Sequence, residues 1–389
     1  MKKKILFVTT SRADYGVCKN LISLLQSSKK IKFYLIVSGT HLSKSFGETI
    51  KEIEKDKINI FKKIDIIKDG KKNSFNDLDI ANNAFKFFKN TFQKINPDFY
   101  IIFGDRYEML PLVYLAYLNR TKIIHINGGE VTYGAIDESI RHSITKFSDY
   151  HFVANKINKR RVIQMGENPK NVYNYGSLNV DSIKNIDFYN KQQVEKNLKT
   201  KLFKNNLVFT YHPETYIKTN QLSNINLIFK SLKKYKNIKF FITSPNFDKG
   251  ANEIKKYIIN FTKKNSNFIF FESLGFQNYL SLINLSDGVI GNSSSGIIEV
   301  PSLKKPTINI GNRQEGRTRS SSIIDCKLNV SAIENSIKKL YSKSFQNNIK
   351  RVYNIYEKKN TTYKIYLEIL NIIKKKNVFK KFFLNRKFN

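Results

Sequence analysis

Short apolar runs alternate with helix-like stripes twice over along this chain, and that alternation limits its fold more than any other feature. KILFVTT, IKFYLIVSG, FYIIF, KIIHI and YHFVA read as strands. Between them, Val17, Leu21, Leu24 and Leu25 form one helix face, and Ala81, Ala84, Phe85, Phe88, Phe92 and Ile95 form another; Pro97 then clears the way for FYIIF. Asp137 to Phe147 reads as a further helix. Repeated strand, helix, strand builds a parallel, doubly wound sheet, which places the chain in the α/β class. A Lys- and Asn-rich stretch, Ser182 to Asn206, interrupts the pattern and reads as an interdomain connection. The alternation then restarts with LVFTY, a helix over 222–232, IKFFITS, a helix over 254–261, NFIFF, a helix over 279–285, DGVIG, a helix from Ser295, and PTINI. Single cores stop growing near ~250–300 residues, so this chain of 389 is expected to hold two domains. The expected division is 1–181, 182–345 and 346–389, with a long amphipathic stretch from Phe345 to Lys376 crossing back to support the first domain.

No apolar run approaches the ~20 residues needed to cross a membrane. The Lys-rich start, MKKKILFVTT, leads straight into a charged turn and reads as a buried first strand, not a signal peptide, so a cytoplasmic protein is expected. Cys18 and Cys326 are far apart and lack any C-x-x-C pattern, which points to core thiols. The net charge of +37 raises the question of a polyanionic partner, but the lysines are spread over nearly every segment, so no nucleic-acid role is expected. The basic, Phe-containing end, NVFKKFFLNRKFN, reads as a frayed tail or docked helix end in preference to a membrane-surface helix. Only 11 of the 68 basic residues are Arg, and Arg12, Arg106, Arg141, Arg313 and Arg317 stand where a planar fork can bind a diphosphate or carboxylate.

Ionisable groups crowd two strand ends. IIFGDRYEMLP carries Asp105, Arg106 and Glu108, and IIHINGGEVTYGAIDESIRHSITK carries His125, Glu130, Asp137, Glu138, Arg141 and His142. In open α/β sheets, ligands bind at the C-terminal ends of strands, so chemistry is expected here. In the second half, GNSSSG follows strand DGVI. Its small residues, Gly296 among them, let backbone N–H groups approach an anion, and Ser293 and Ser294 add hydroxyls at a helix start, the features of a phosphate cradle in preference to a plain N-cap. Glu299 follows in the same helix, where a carboxylate can accept ribose hydroxyls. Arg313 and Arg317 lie in GNRQEGRTR, after PTINI. SRADYG is the first domain's counterpart, with Arg12 in reach of a diphosphate and Gly16 at the helix start.

Histidines number only five. His125 and His212 each end a strand and are expected to point into an interdomain cleft, whereas His142 has an equally good structural reading as a hydrogen-bond partner. No spacing argues for a metal, and no cofactor is expected.

GDRYEM, HINGGEVTYGAIDESIRHSITK, YHPET, GNSSSGIIEVPS and INIGNRQEGRTR, in this order between Ser11 and Arg319, resemble the hydrolysing UDP-N-acetylglucosamine 2-epimerases of the sialic and legionaminic acid pathways. The resemblance implies a GT-B architecture, two Rossmann-like domains with the nucleotide sugar in the cleft. It also implies conversion of a UDP-2-acetamido sugar and water to UDP and the free C2-epimer, typically N-acetylmannosamine, by a homodimer or homotetramer. Elimination to a glycal and rehydration both need a positioned base and acid. By this resemblance Asp105 and Asp137 match acid/base carboxylates, and His212 matches a histidine near the leaving group. Arg12, Ser293, Ser294, Glu299 and Arg313 match nucleotide positions. Some relatives carry a catalytic Glu two residues after the strand-end His, where this chain has Asn127, and Glu130 is the expected substitute.

Three other readings compete. One is a 2-epimerase of a UDP- or GDP-linked 2,4-diacetamido-2,4,6-trideoxy-hexose. Another is a GT-B glycosyltransferase, which has no need of so many carboxylates. The third is a basic nucleic-acid or membrane-surface protein, which the charge and tail alone support.

Overall fold

The computed structural model describes residues 2–44, 47–68, 76–184, 186–214, 220–245, 250–375 and 381–385. Its contacts divide the chain into two compact units, Met1–Glu130, Asp137–Ser182 and Lys358–Asn389 in the first, and Val131–Ile136 and Ile183–Glu357 in the second.

The first unit runs β1 (Lys3–Thr9), α1 (Arg12–Ser27), β2 (Ile31–Ser38), α2 (Ile50–Lys55), β3 (Lys62–Ile64), α3 (Asp77–Ile95), β4 (Phe99–Phe103), α4 (Leu110–Leu118), β5 (Lys122–Ile126), α5 (Asp137–Phe147), β6 (Tyr150–Val153), α6 (Lys156–Gln164), β7 (Val172–Asn174) and α7 (Leu178–Ile183). Its sheet has the order β3-β2-β1-β4-β5-β6-β7, every pair parallel. Ile5, Leu6 and Phe7 are wholly buried. An unbroken apolar run of this kind suits a strand covered on both faces, as parallel strands are. The order reverses between β1 and β4, where successive crossovers leave toward opposite edges and a crevice opens at the strand C-termini.

The second unit holds α8 (Lys191–Leu198), β8 (Asn205–Thr210), α9 (Gln221–Leu232), β9 (Ile238–Thr243), α10 (Ala251–Thr262), β10 (Phe268–Phe271), α11 (Phe276–Leu285), β11 (Gly288–Gly291), α12 (Ser294–Ile298), β12 (Thr307–Ile310), β13 (Ile323–Cys326), α13 (Val330–Tyr341) and α14 (Lys343–Ile349). Its parallel sheet runs β10-β9-β8-β11-β12-β13 and reverses between β8 and β11. The core is aromatic: the Phe229 ring meets Phe209, Phe261 and Phe268.

Two expectations need correction. The stretch from Ser182 to Asn206 is more than a connection, because Val194 and Leu198 give α8 an apolar edge that is buried in the second unit's core. Asn190 and Gln193 cap that helix reciprocally. The segment from Phe345 on is not one continuous amphipathic element. Phe345 and Ile349 of α14 are buried in the second unit, as are Asn354, bonded to Ile298 O at 2.7 Å, and Tyr356, bonded to Thr318 O at 2.8 Å. The first unit therefore resumes at Lys358, not at residue 346. There α15 (Thr361–Ile372) buries Ile365 and Ile369 among Leu21, Leu25 and Phe7. Asp181 accepts the N–H groups of Thr361 and Thr362 at its start. Cys18 and Cys326 are buried free thiols.

Candidate active site

In the first unit the charged side chains gather after β1, β4 and β5, at the sheet's reversal. Arg141, on α5, is the hub, with its side chain 1% exposed. Its guanidinium donates to Asp105 Oδ2 from Nε at 2.7 Å and from Nη2 at 2.5 Å, and from Nη1 to Glu138 Oε2 at 2.8 Å and to Glu130 O at 2.9 Å. Burial opposes its charge, but Asp105, Glu130 and Glu138 outweigh that and raise its pKa. Arg141 was expected on substrate; it is instead the buried fork that orients Asp105, whose own carboxylate stays partly open. His142 Nε2 meets the other Glu138 oxygen at 3.0 Å.

His125 does not reach an open face either. It is fully buried, with Nε2 against Gly104 O at 2.9 Å and Nδ1 against the Thr145 hydroxyl at 3.2 Å. A carbonyl accepts only, so Nε2 carries the proton, and burial lowers the imidazole pKa to about 3. The neutral ring thus braces the backbone immediately before Asp105. Gly128 lets the chain pass over it, since a Cβ there stands 2.9 Å from Nδ1.

Asn127 has φ +75° and donates its N–H to Phe152 O at 2.8 Å. Asn is among the few side chains that enter this left-handed region at modest cost, so it suits the backbone at this position. Glu130 is 1% exposed, and its Oε1 accepts a hydrogen bond from Asn158 Nδ2 on α6. The expected stand-in for the missing Glu is therefore turned inward, and Asp105 and Asp137 are the more accessible carboxylates. Asp137 opens α5 and is only partly buried.

Beside this array, Thr10 Oγ1 lies 2.9 Å from Glu108 Oε1 and 3.2 Å from Asp14 Oδ2, and Arg106 Nε donates to Glu108 Oε1 at 2.5 Å. Burial lifts the Asp14 pKa to about 6; Arg106 opposes the shift and Glu108 adds to it. Arg12 is the first residue of α1 and half-buried. Gly16 falls in the second turn, where a helical N–H points back to a carbonyl, so it is not the anion-binding donor expected.

The second unit ties its motifs together through a residue that sequence reasoning passed over, Asn292. Its side chain grips the backbone of His212, accepting His212 N–H at 2.7 Å and donating to His212 O at 2.8 Å, while its own carbonyl accepts Arg313 Nη1 at 3.3 Å and Gln314 Nε2 at 2.9 Å. A G-N pair at a strand end was the available signal. Gly291 takes φ +138° with Thr210 O where a Cβ belongs, and Asn292 follows as the first residue beyond β11. Burial, and then the nearby Arg313 charge, hold His212 far below its usual pKa, so its imidazole is neutral. Glu214, also missed, accepts the N–H of Asn312 at 3.1 Å.

Ser293 caps α12, its hydroxyl accepting Ser295 N–H at 3.4 Å, and Ser294 is the first helical residue. The helix is a single short turn, so its dipole adds little and any anion contact rests on local N–H and O–H donors. Gly296 is not a phosphate approach: it is buried, and a Cβ on it meets Thr307 Cγ2 at 2.6 Å. Glu299 ends this turn, 8% exposed, and Arg317 is 9% exposed. Residues 131–136 also belong to this unit; Gly134 lies against the Asn312 and Arg313 backbones, and Tyr133 N–H reaches Glu315 O at 3.1 Å.

His41 contacts the hydroxyls of Thr9 and Thr49, and burial lowers its pKa to about 4. His151 is fully buried with Nε2 3.1 Å from Glu167, and burial lowers its pKa as well. Among the described residues, no group of three or more His, Cys, Asp or Glu is placed to hold a metal ion, and no helix is long and apolar enough to cross a membrane.

The UDP-N-acetylglucosamine 2-epimerase family model matches residues 23–370. The chain is 42% identical to a GDP/UDP-N,N'-diacetylbacillosamine 2-epimerase (hydrolyzing) of Campylobacter jejuni, covering 89% of this chain and 90% of that protein. It is 37% identical to the polysialic acid biosynthesis protein P7 of Escherichia coli, covering 96% and 95%. In fold it is similar to the UDP-N-acetylglucosamine 2-epimerase of Neisseria meningitidis bound to UDP-N-acetylglucosamine, with a TM-score of 0.80 at 17% identity over 95% of this chain and 100% of that one. The two parallel-sheet α/β units are thus of the GT-B class, and the chain belongs to the UDP-N-acetylglucosamine 2-epimerase family.

Proposed function

We propose that this enzyme is a hydrolysing 2-epimerase. It converts a nucleoside-diphospho-2-acetamido sugar and water to the nucleoside diphosphate and the free C2-epimer, with UDP-N-acetylglucosamine yielding a product of the N-acetylmannosamine type. The observation that carries the reading is Asp105, partly open and held from behind by the buried Arg141 fork, in a chain matched almost end to end by a hydrolysing 2-epimerase.

In the first step the C2–H proton passes to a carboxylate, the C1–O bond to the diphosphate breaks, and a C1=C2 glycal remains. In the second, water adds its oxygen to C1 and a proton reaches C2 from the opposite face. Asp105 and Asp137 are assigned as the proton-transfer pair; they also stabilise positive charge developing at C1. Ser293, Ser294, Arg12 and Arg313 are assigned to the diphosphate, neutral His212 to a hydrogen bond near the leaving oxygen, and Glu299 to the ribose. Arg106 and Arg317 add positive charge near the anion. Glu130, His125 and Arg141 act behind the site.

A second sugar is favoured by one observation. The relative at 42% identity is named for diacetylbacillosamine and for either GDP or UDP, so a 2,4-diacetamido-2,4,6-trideoxy sugar is the substrate to set beside UDP-N-acetylglucosamine. A place in sialic or legionaminic acid synthesis follows from whichever sugar turns over. Incubating the protein in heavy water with each substrate, and following products by NMR, is expected to give free nucleoside diphosphate and a C2-epimerised sugar carrying one deuterium at C2. Release of the diphosphate without deuterium at C2 sinks the epimerase mechanism and leaves simple hydrolysis or transfer.

A further inference from the structure

The far end of α5 is closed by a residue remote in sequence. A helix leaves its last carbonyls without partners inside the helix, and here a side chain from the C-terminal tail supplies donors. Lys381 Nζ donates to Thr145 O at 3.5 Å, Lys146 O at 2.5 Å and Ser148 O at 2.6 Å. An ammonium at that end also meets the negative pole of the helix dipole.

The same ammonium lies 2.9 Å from Glu167 Oε2, a carboxylate only 3% exposed that also takes Lys146 at 2.7 Å and the Nε2–H of His151 at 3.1 Å. The tail is seated by backbone and ring contacts too. Leu384 N–H donates to Gly166 O at 2.9 Å, and the Phe383 ring lies over Gly166 with the Lys146 ammonium 4.9 Å from its centre. A frayed end does not make four different kinds of contact with one site.

The opposite end of α5 carries Asp137, Glu138 and Arg141. Thr145 joins the two ends: its carbonyl accepts Lys381, and its hydroxyl lies 3.0 Å from Arg141 O and 3.2 Å from His125 Nδ1. His125 in turn holds Gly104 O, one residue before Asp105. A shift of α5 along its axis therefore moves the Arg141 fork and the Asp105 brace together.

We infer that Lys381 is a positioning residue for the proposed epimerase chemistry, which this inference takes as its premise: the docked tail sets the position of α5 and, through it, of Asp105 and Asp137. Small displacements of reacting groups lower turnover steeply without changing how tightly the nucleotide is held.

The test uses the full chain with Lys381→Met and Lys381→Arg, read by amide hydrogen exchange across α5 and by steady-state kinetics. Lys381→Met is expected to speed exchange over residues 144–148 about tenfold, as local opening of a helix end does. It is expected to lower kcat about tenfold while KM and inhibition by free UDP stay within about twofold. Arg keeps a charged donor and is expected to restore both readings to within about threefold of the unaltered chain. Unchanged exchange in the Met variant overturns the docking role, and faster exchange with unchanged kcat overturns the positioning role. Absence of C2 exchange in the unaltered chain counts against the epimerase reading instead, and the amide-exchange arm still decides whether the tail holds α5.

Discussion

Replacing Asn292 by Ala tests whether one amide organises the second unit's site. The side chain is fully buried, and its two hydrogen bonds serve both backbone polar groups of His212, itself 5% exposed. Truncation leaves that N–H and that C=O without their partners. Each such buried group costs roughly 1–3 kcal/mol, and partial entry of water trims the total to about 3 kcal/mol. For a unit of this size each kcal/mol moves the midpoint by ~2–4 °C, so its thermal transition is expected to fall by about 6–12 °C. Two units can unfold separately, so calorimetry should be fitted with two transitions, and addition of UDP should identify the one that moves. Asn292→Asp keeps the acceptor but turns a second oxygen toward the His212 carbonyl, so it is expected to cost as much as Ala despite its matching shape. A fall of under about 2 °C for Ala refutes the clamp, as does an Asp variant that melts like the unaltered protein.

Other perturbations separate chemistry from binding. Asp105→Asn is expected to lower kcat by at least about a hundredfold while UDP affinity, measured by calorimetry, stays within about twofold; parallel loss of both refutes the catalytic assignment. Arg313→Lys is expected to weaken UDP binding about tenfold, because a point charge cannot reproduce a planar fork, and unchanged affinity removes Arg313 from the diphosphate. Asp14 has a folded pKa of about 6, above the ~4 of an unfolded aspartate. The fold therefore binds the extra proton, and stability is present below that window and lost as pH rises through it. Asp14→Asn is expected to flatten the fall in urea midpoint between pH 4.5 and pH 7, and an unaltered slope shows that another group titrates there.

The fold was legible wherever an apolar run was bounded by a polar turn, which is why FYIIF, KIIHI and Asp137–Phe147 match β4, β5 and α5 residue for residue. Periodicity said nothing of α4, LPLVYLAYL, because it is apolar all round, nor of three-residue β7. It passed over α8 because only Val194 and Leu198 break its polar surface. The site was legible in residue type but less so in orientation. Glu130 is turned inward by Asn158, 28 positions away, and the brace on His125 comes from Thr145, 20 positions away. Long-range partners decide such orientations, and no local pattern announces them. Asn292 stood in plain view within GNSSSG, but the serines beside it offered an anion-binding explanation that hid its role as a clamp.

Burial of the histidines has a consequence for enzymology. His41, His125 and His212 are held well below the usual imidazole pKa by burial, so none of these three gains a proton as a buffer passes from pH 8 to pH 6. A rate profile bending in that interval therefore does not come from these three imidazoles. Asp14, whose carboxyl titrates at about 6, is the first candidate to substitute, although the reflex assignment of such a bend is to histidine.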